Sequence, residues 1–164
     1  NQKIYMKYKG IWFYGLSGSG KSLLSKTIKM KFKNIILIDG DQVRKYISKD
    51  LGYNLNDREI QITRIFGICK IIINENFIPV ASTVWFNKKL LRLCKKEKII
   101  PIRIDRLEMK NIIKSHTTYK NKKNVVGIDI KYDNFKTKII SNQNNKLFCQ
   151  NLNFFKKFLE IKDI

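Results

Sequence analysis

Short apolar runs alternate along this chain with stretches in which apolar residues recur at helical spacing. Ile11–Tyr14 is an apolar and aromatic run suited to a buried strand, and Asn34–Ile38 carries the continuous apolar run of a strand covered on both faces. Phe77–Ser82 reads as a third strand, Ile99–Ile104 as a fourth and Thr137–Ser141 as a last one. Pro101 puts the fourth at a sheet edge or a strand start, because proline has no N–H for the ladder. Helices are expected at about Gly20–Lys31, Gln42–Lys49, Asp57–Asn74, Asn87–Lys98 and Leu107–Lys114, with Asp57 as the N-cap of the third. An amphipathic helix over Asn151–Ile161 closes the chain.

This alternation predicts an α/β fold, a mostly parallel sheet with helices on both faces. In such sheets ligands bind at the carboxyl ends of the strands. The polar, lysine-rich segment 115–134 falls on that side, and its length reads as a lid. With no internal repeat and no linker, the 164 residues are expected to form one domain, 1–164.

The turn between the first strand and first helix holds the candidate chemistry. Gly15-Leu16-Ser17-Gly18-Ser19-Gly20-Lys21-Ser22 is a complete G-x-x-x-x-G-K-[ST] loop in the strand-loop-helix order that phosphate binding needs. Its amides and the helix N-terminus supply positive potential for phosphate oxygens. Lys21 is expected to reach the β- and γ-phosphates of a nucleoside triphosphate, and the Ser22 hydroxyl to ligate Mg²⁺. Asp39 and Asp41 stand at the end of the second strand, beside the phosphate site in this topology. Asp39 is expected to take the acceptor's proton or hold Mg²⁺ through water, and Asp41 to share in capping the next helix and to bind the substrate. No N-K-x-D base-reading motif is present and the chain is too small for a motor, so a small-molecule kinase is favoured.

Charge changes the picture little. The 34 Lys and Arg against 13 Asp and Glu give +21, a balance that points towards polyanions. The basic residues are scattered, as at Lys29, Lys33, Lys88 and Lys96, and no stacking-aromatic pattern for RNA accompanies them. A solvated basic surface favouring anionic small molecules is expected, rather than a nucleic-acid partner. No apolar run reaches the roughly 20 residues of a membrane span, and Asn1–Lys9 lacks the core of a signal peptide. Cys69, Cys94 and Cys149 form no C-x-x-C pair, so neither disulfides nor zinc are expected and the cytoplasm is the natural setting.

Four segments in order carry a resemblance: Gly15–Ser22, Leu37-Ile38-Asp39-Gly40-Asp41-Gln42-Val43-Arg44, Leu51-Gly52-Tyr53-Asn54-Leu55-Asn56-Asp57-Arg58 and Ile62-Thr63-Arg64. Together they resemble the signature of adenylylsulfate kinases, P-loop enzymes that move the γ-phosphate of ATP to the 3′-hydroxyl of adenylylsulfate. Tyr119-Lys120 and Gly127-Ile128-Asp129 resemble that family's lid. The resemblance implies a P-loop kinase fold, ATP and Mg²⁺, a small nucleotide acceptor and a homodimer. It also implies that Arg44 and Arg58 clamp the acceptor's anionic group and that Tyr53 stands where a phenylalanine stacks on its base. Lys120 would close over the phosphates, and Gly127 and Ile128 would meet the acceptor nucleotide.

The departures fall on the acceptor side. Gln61 replaces the asparagine of D-R-x-x-N, and Val125-Val126 precede Gly127 where the family has a second stacking aromatic. Thr83-Val84-Trp85 replaces an I-S-P segment, and Ile113 and Lys114 stand in place of an arginine and an aspartate. Losing one stacking face costs a purine roughly 1–3 kcal/mol and matters less for a smaller ring. The pattern therefore resembles the cytidine diphosphoramidate kinases of bacterial capsule modification, with adenylylsulfate as the alternative acceptor. A nucleic-acid binder that uses ATP as a switch, and a sugar or shikimate-type kinase, are the competing readings. His116, the single histidine, is expected to be passive in a solvent-facing lid, and Trp85 either walls the acceptor pocket or packs.

Overall fold

The computed structural model describes residues 8–120, 123–131, 135–143, 152, 154 and 155. In chain order the elements are β1 (Gly10–Tyr14), α1 (Lys21–Lys31), β2 (Ile35–Asp39), α2 (Gly40–Tyr46) and α3 (Leu55–Asn74). β3 (Ile78–Thr83), α4 (Lys88–Lys96), β4 (Ile99–Arg106) and α5 (Met109–Ser115) follow, then a 3₁₀ turn (Thr117–Tyr119) and β5 (Lys138–Asn142). The strands form one sheet in the order β2-β3-β1-β4-β5, and every pairing is parallel.

β1 lies at the centre and is buried along its whole length. Successive side chains point to opposite faces, as strand geometry requires. Ile11 and Phe13 pack with Leu24 and Ile28 of α1, and Trp12 and Tyr14 pack with Ile62, Ile65 and Phe66 of α3 and Leu90 of α4. Each such burial contributes about 1.5–3 kcal/mol. Two cores on two faces hold the sheet rigid, and parallel pairing brings the carboxyl ends of all five strands to one edge. Tyr14, Asp39, Thr83, Arg106 and Asn142 are the terminal residues there.

Two expectations are corrected. β4 is an internal strand rather than an edge, yet its ladder with β5 begins only at Ile102. Pro101 therefore sits where β4 has a neighbour, β1, on one side only. Pro79 is tolerated for the same reason, because β3 pairs with β1 only from Val80. The N-cap of α3 is Asn54, not Asp57: the Asn54 side chain accepts from the Asp57 N–H at 2.9 Å. Asp57 instead turns its carboxylate back to the Gly52 N–H, also at 2.9 Å. Two candidate caps three residues apart compete, and the earlier one gains Leu55 and Asn56 for the helix.

Cys69 and Cys94 are free thiols in the core, while Cys149 lies outside the described residues. Of the closing helix expected at 151–161, only Leu152, Phe154 and Phe155 are described, and Leu152 and Phe155 join the α1-side core. Among the described residues no helix is long and apolar enough to cross a membrane.

Candidate active site

The loop after β1 is shaped by hydrogen bonds from outside it. Asn142 at the end of β5 donates to the Ser19 carbonyl at 3.1 Å, Arg106 at the end of β4 to the Gly18 carbonyl at 3.2 Å, and the Tyr119 hydroxyl to the Ser17 carbonyl at 2.9 Å. Lys21 folds over the loop and donates to the Gly15 and Leu16 carbonyls at 2.8 and 2.9 Å. In a trans peptide the carbonyl and the following N–H point in opposite directions, so tying these carbonyls down turns loop amides the other way, as an anion nest requires. Gly20 caps α1 with φ 104°. The Lys21 ammonium is buried, which lowers its pKa to about 8 against the partial compensation of Asp41 and Asp39. A cation desolvated in this way gains from an anionic partner.

Ser22 and Asp39 meet at the mouth of the loop, the hydroxyl donating to Asp39 Oδ2 at 3.0 Å. The other oxygen, Oδ1, accepts from the Asp41 N–H at 2.9 Å and the Gln42 N–H at 3.4 Å. Asp39 is thus the N-cap of α2, which corrects the division expected from sequence. Asp41, in the first turn of α2, is exposed into the cavity instead. The Ser22–Asp39 pair is a set of hard oxygens suited to Mg²⁺. The Ser19 hydroxyl, buried in the loop with no protein partner among the described residues, is a further polar group a phosphate can satisfy. The residues present fit a magnesium nucleotide.

A cavity of about 690 Å³ extends from this point. Ser17, Gly18, Lys21, Ser22, Asp39 and Asp41 line it near the loop, and Arg44, Tyr53, Arg58 and Gln61 line it farther away. The Arg44 guanidinium lies 4.5 Å from the Tyr53 ring centroid and that of Arg58 5.7 Å from it. Backbone carbonyls aim both forks: Arg44 donates to those of Leu51 and Gly52, and Arg58 to Tyr53 at 2.9 Å and Asn124 at 2.7 Å. Burial, then the neighbouring Arg44 charge, lowers the Arg58 pKa from its usual value. Two guanidinium groups around one ring make a strong site for an anion. Gln61 Nε2 donates to the Gly40 carbonyl at 2.9 Å, which leaves its buried Oε1 as an acceptor at the cavity wall.

The end of β3 adds Ser82 and the Thr83-Val84-Trp85 segment singled out in the sequence. Ser82, Thr83, Val84 and Trp85 line the cavity because β3 ends beside β2. Thr83 fixes this turn, accepting from Trp12 Nε1 at 2.8 Å and donating to the Trp85 carbonyl at 2.9 Å. Trp85 is half-buried, packs against the α3-side core and also lines the cavity. The rule that ligands meet strand ends was the signal for this segment.

Over segment 115–134, expected to be a lid, the sequence expectation and the structure differ in which residues face inward. Lys123, Asn124, Val125 and Val126 line the cavity, whereas Lys120, Gly127 and Ile128 do not and are exposed. The 3₁₀ turn buries Tyr119 against the loop and so directs Lys120 outward. Asp129 closes the next turn, accepting from the Asn124 and Val125 amides at 2.5 and 2.6 Å. His116 is half-buried at the cavity wall rather than solvent-facing, its Nδ1 accepting from the Thr118 N–H at 3.3 Å.

Known proteins are similar to this chain in sequence and in fold. The sequence profile described as adenylylsulphate kinase matches residues 7–137. The adenylyl-sulfate kinase of Clostridium kluyveri is 36% identical over 78 residues, 45% of this chain and 39% of its own. That of Pseudomonas aeruginosa is 35% identical over 78 residues, 45% and 40% of the two chains. The chain thus spans about two-fifths of the length of the curated relatives it matches. Among solved structures, the Mycobacterium tuberculosis APS kinase in complex with AMPPNP and APS superposes with a TM-score of 0.78 at 20% identity, covering 93% of this chain and 98% of that one. With the profile covering the loop, the cavity and the whole of segment 115–134, the chain belongs to the adenylylsulphate kinase family.

Proposed function

We propose that this chain is an ATP-dependent phosphotransferase acting on a nucleotide hydroxyl, with adenylylsulfate as acceptor and its ribose 3′-hydroxyl as nucleophile. One observation carries the proposal: a single cavity joins the Lys21–Ser22–Asp39 cluster at one end to the Arg44–Tyr53–Arg58 clamp at the other. The family match supports adenylylsulfate over other acceptors.

Bound Mg²⁺-ATP supplies the transferable γ-phosphoryl group. The protein's part is positioning and charge neutralisation. Loop amides and Lys21 hold the donor phosphates, and Ser22 with Asp39 organises the metal. Arg44 and Arg58 grip the acceptor's anionic group while Tyr53 and Trp85 flank its base. Asp41, which faces the cavity while both Asp39 oxygens are engaged, accepts the proton of the attacking hydroxyl. The acceptor's O–H bond breaks, its proton passing to Asp41, as the new oxygen–phosphorus bond forms, and the bond from the γ-phosphorus to the β–γ bridging oxygen breaks to release ADP. A dependence on ATP agrees with a cytoplasmic setting, and a scattered basic surface attracts both anionic substrates.

A second reading rests on Val125. This small side chain lines the cavity where a second aromatic is expected, which suits the smaller ring of cytidine diphosphoramidate and would link the enzyme to capsule modification. Turnover with the two acceptors offered in parallel decides. A higher kcat/KM for adenylylsulfate supports the first reading, a higher value for the cytidine compound the second, and no ADP with either refutes both.

A further inference from the structure

The chain from α5 through the 115–134 segment touches the phosphate loop at three successive places. Ile112 and His116 lie against Gly18, where a Cβ would come within 2.7 Å of Ile112 Cγ2 and where φ is +82°. The Tyr119 hydroxyl donates to the Ser17 carbonyl at 2.9 Å, a contact spanning 102 residues of sequence. Gly127 rests on Leu16, where a Cβ would stand 2.9 Å from Leu16 Cδ2 at a φ of +89°. The same segment reaches the acceptor clamp through the Asn124 carbonyl, which receives Arg58 at 2.7 Å.

Of these contacts only the Tyr119 bond fixes a peptide of the loop. The Ser17 carbonyl and the Gly18 N–H belong to one peptide unit, so a donor on the carbonyl sets the direction of the amide. Arg106 and Asn142 do the same for the next two peptides from β4 and β5, elements held by the sheet. Tyr119 does it from outside the sheet. Its ring is buried, and burial raises the phenol pKa, so the hydroxyl stays a neutral donor across the physiological range.

We propose that Tyr119 is a positioning residue for the donor nucleotide: its hydroxyl latches the lid onto the phosphate loop and orients the Ser17–Gly18 peptide for the triphosphate. The inference rests on the phosphotransferase reading and names a residue role within it. Through Asn124 the latch also holds the Arg58 fork, so the lid spans both ends of the cavity.

The test is Tyr119→Phe, which removes the hydroxyl and keeps the packed ring. Mg²⁺-ATP binding is measured by calorimetry without acceptor, alongside steady-state kinetics, the melting temperature and limited trypsin digestion after Lys120 and Lys123. The latch predicts a Kd for ATP raised about two- to tenfold, the net worth of one hydrogen bond. KM for ATP rises by the same factor, kcat at saturating ATP changes less than twofold, and cleavage at the lid lysines quickens. A purely structural Tyr119 would lower the melting temperature and leave ATP affinity unmoved, which overturns the proposal. Equal affinity and equal cleavage in the two proteins overturn it as well. A wild-type chain that binds no ATP overturns the phosphotransferase reading itself and the latch with it.

Discussion

At the residue scale the two carboxylates after β2 divide the work differently from the order in which the sequence presents them. Asp39 has one oxygen on α2 amides and the other on Ser22. Asp39→Asn should therefore nearly abolish kcat and raise the Mg²⁺ requirement while ATP still binds, and near-wild-type kcat in that variant would remove Asp39 from the mechanism. Asp41→Asn should lower kcat by about 10²–10⁴, the usual span for a lost general base, with the Kd for ATP unchanged. Lys21 gives a pH signature. Burial lowers its pKa from 10.5 to about 8, so above pH 8 the free loop holds a neutral amine. ATP needs the ammonium, so binding takes up a proton and weakens up to tenfold, about 1.4 kcal/mol, for each pH unit above 8. The sign for stability follows from the same shift: between about pH 8 and 10.5 the unfolded chain binds more protons, so Lys21's contribution to stability rises with pH there. Titrating ATP at pH 7.5 and 9.5 checks this. The wild type should lose affinity and Lys21→Arg, which keeps its charge, should not.

At the scale of elements, local chemistry told most of the story. The glycine loop, its flanking strand and its helix were legible because their backbone demands are met by neighbours in sequence. The start of α3 is ambiguous in sequence because Asn54 and Asp57 both suit a cap, and only the direction of the Asp57 carboxylate, towards Gly52, separates them. Asn54→Ala should cost about 1 kcal/mol in a denaturant titration, as cap losses generally do. A cost indistinguishable from zero would return the cap to Asp57. Pro101 is ambiguous for a related reason: sequence marks a missing N–H but not where a neighbouring strand begins to pair, and here a position near the strand start, not a sheet edge, accommodates it. The lid was least legible. Its inward face depends on contacts such as Tyr119 with Ser17 and Asn124 with Arg58, 102 and 66 residues apart, which no local spacing encodes.

For the whole molecule, the parallel sheet gathers its strand ends on one edge, and that edge explains why one cavity joins the phosphate loop to the Arg44–Tyr53–Arg58 cluster. Residues as distant in sequence as Ser22, Arg58, Trp85 and Val125 line it together. The +21 charge surrounds this site without defining it, since a scattered surface field favours any anion, nucleotide or nucleic acid alike. What distinguishes the two is where the phosphate of ATP goes. The most direct measurement is ADP formation by the wild-type chain with Mg²⁺-ATP alone, with adenylylsulfate or cytidine diphosphoramidate added, and with single-stranded RNA. Phosphotransfer predicts ADP only when a nucleotide acceptor is present, with one phosphorylated acceptor per ADP; ATP hydrolysis driven by RNA and indifferent to both acceptors would contradict it.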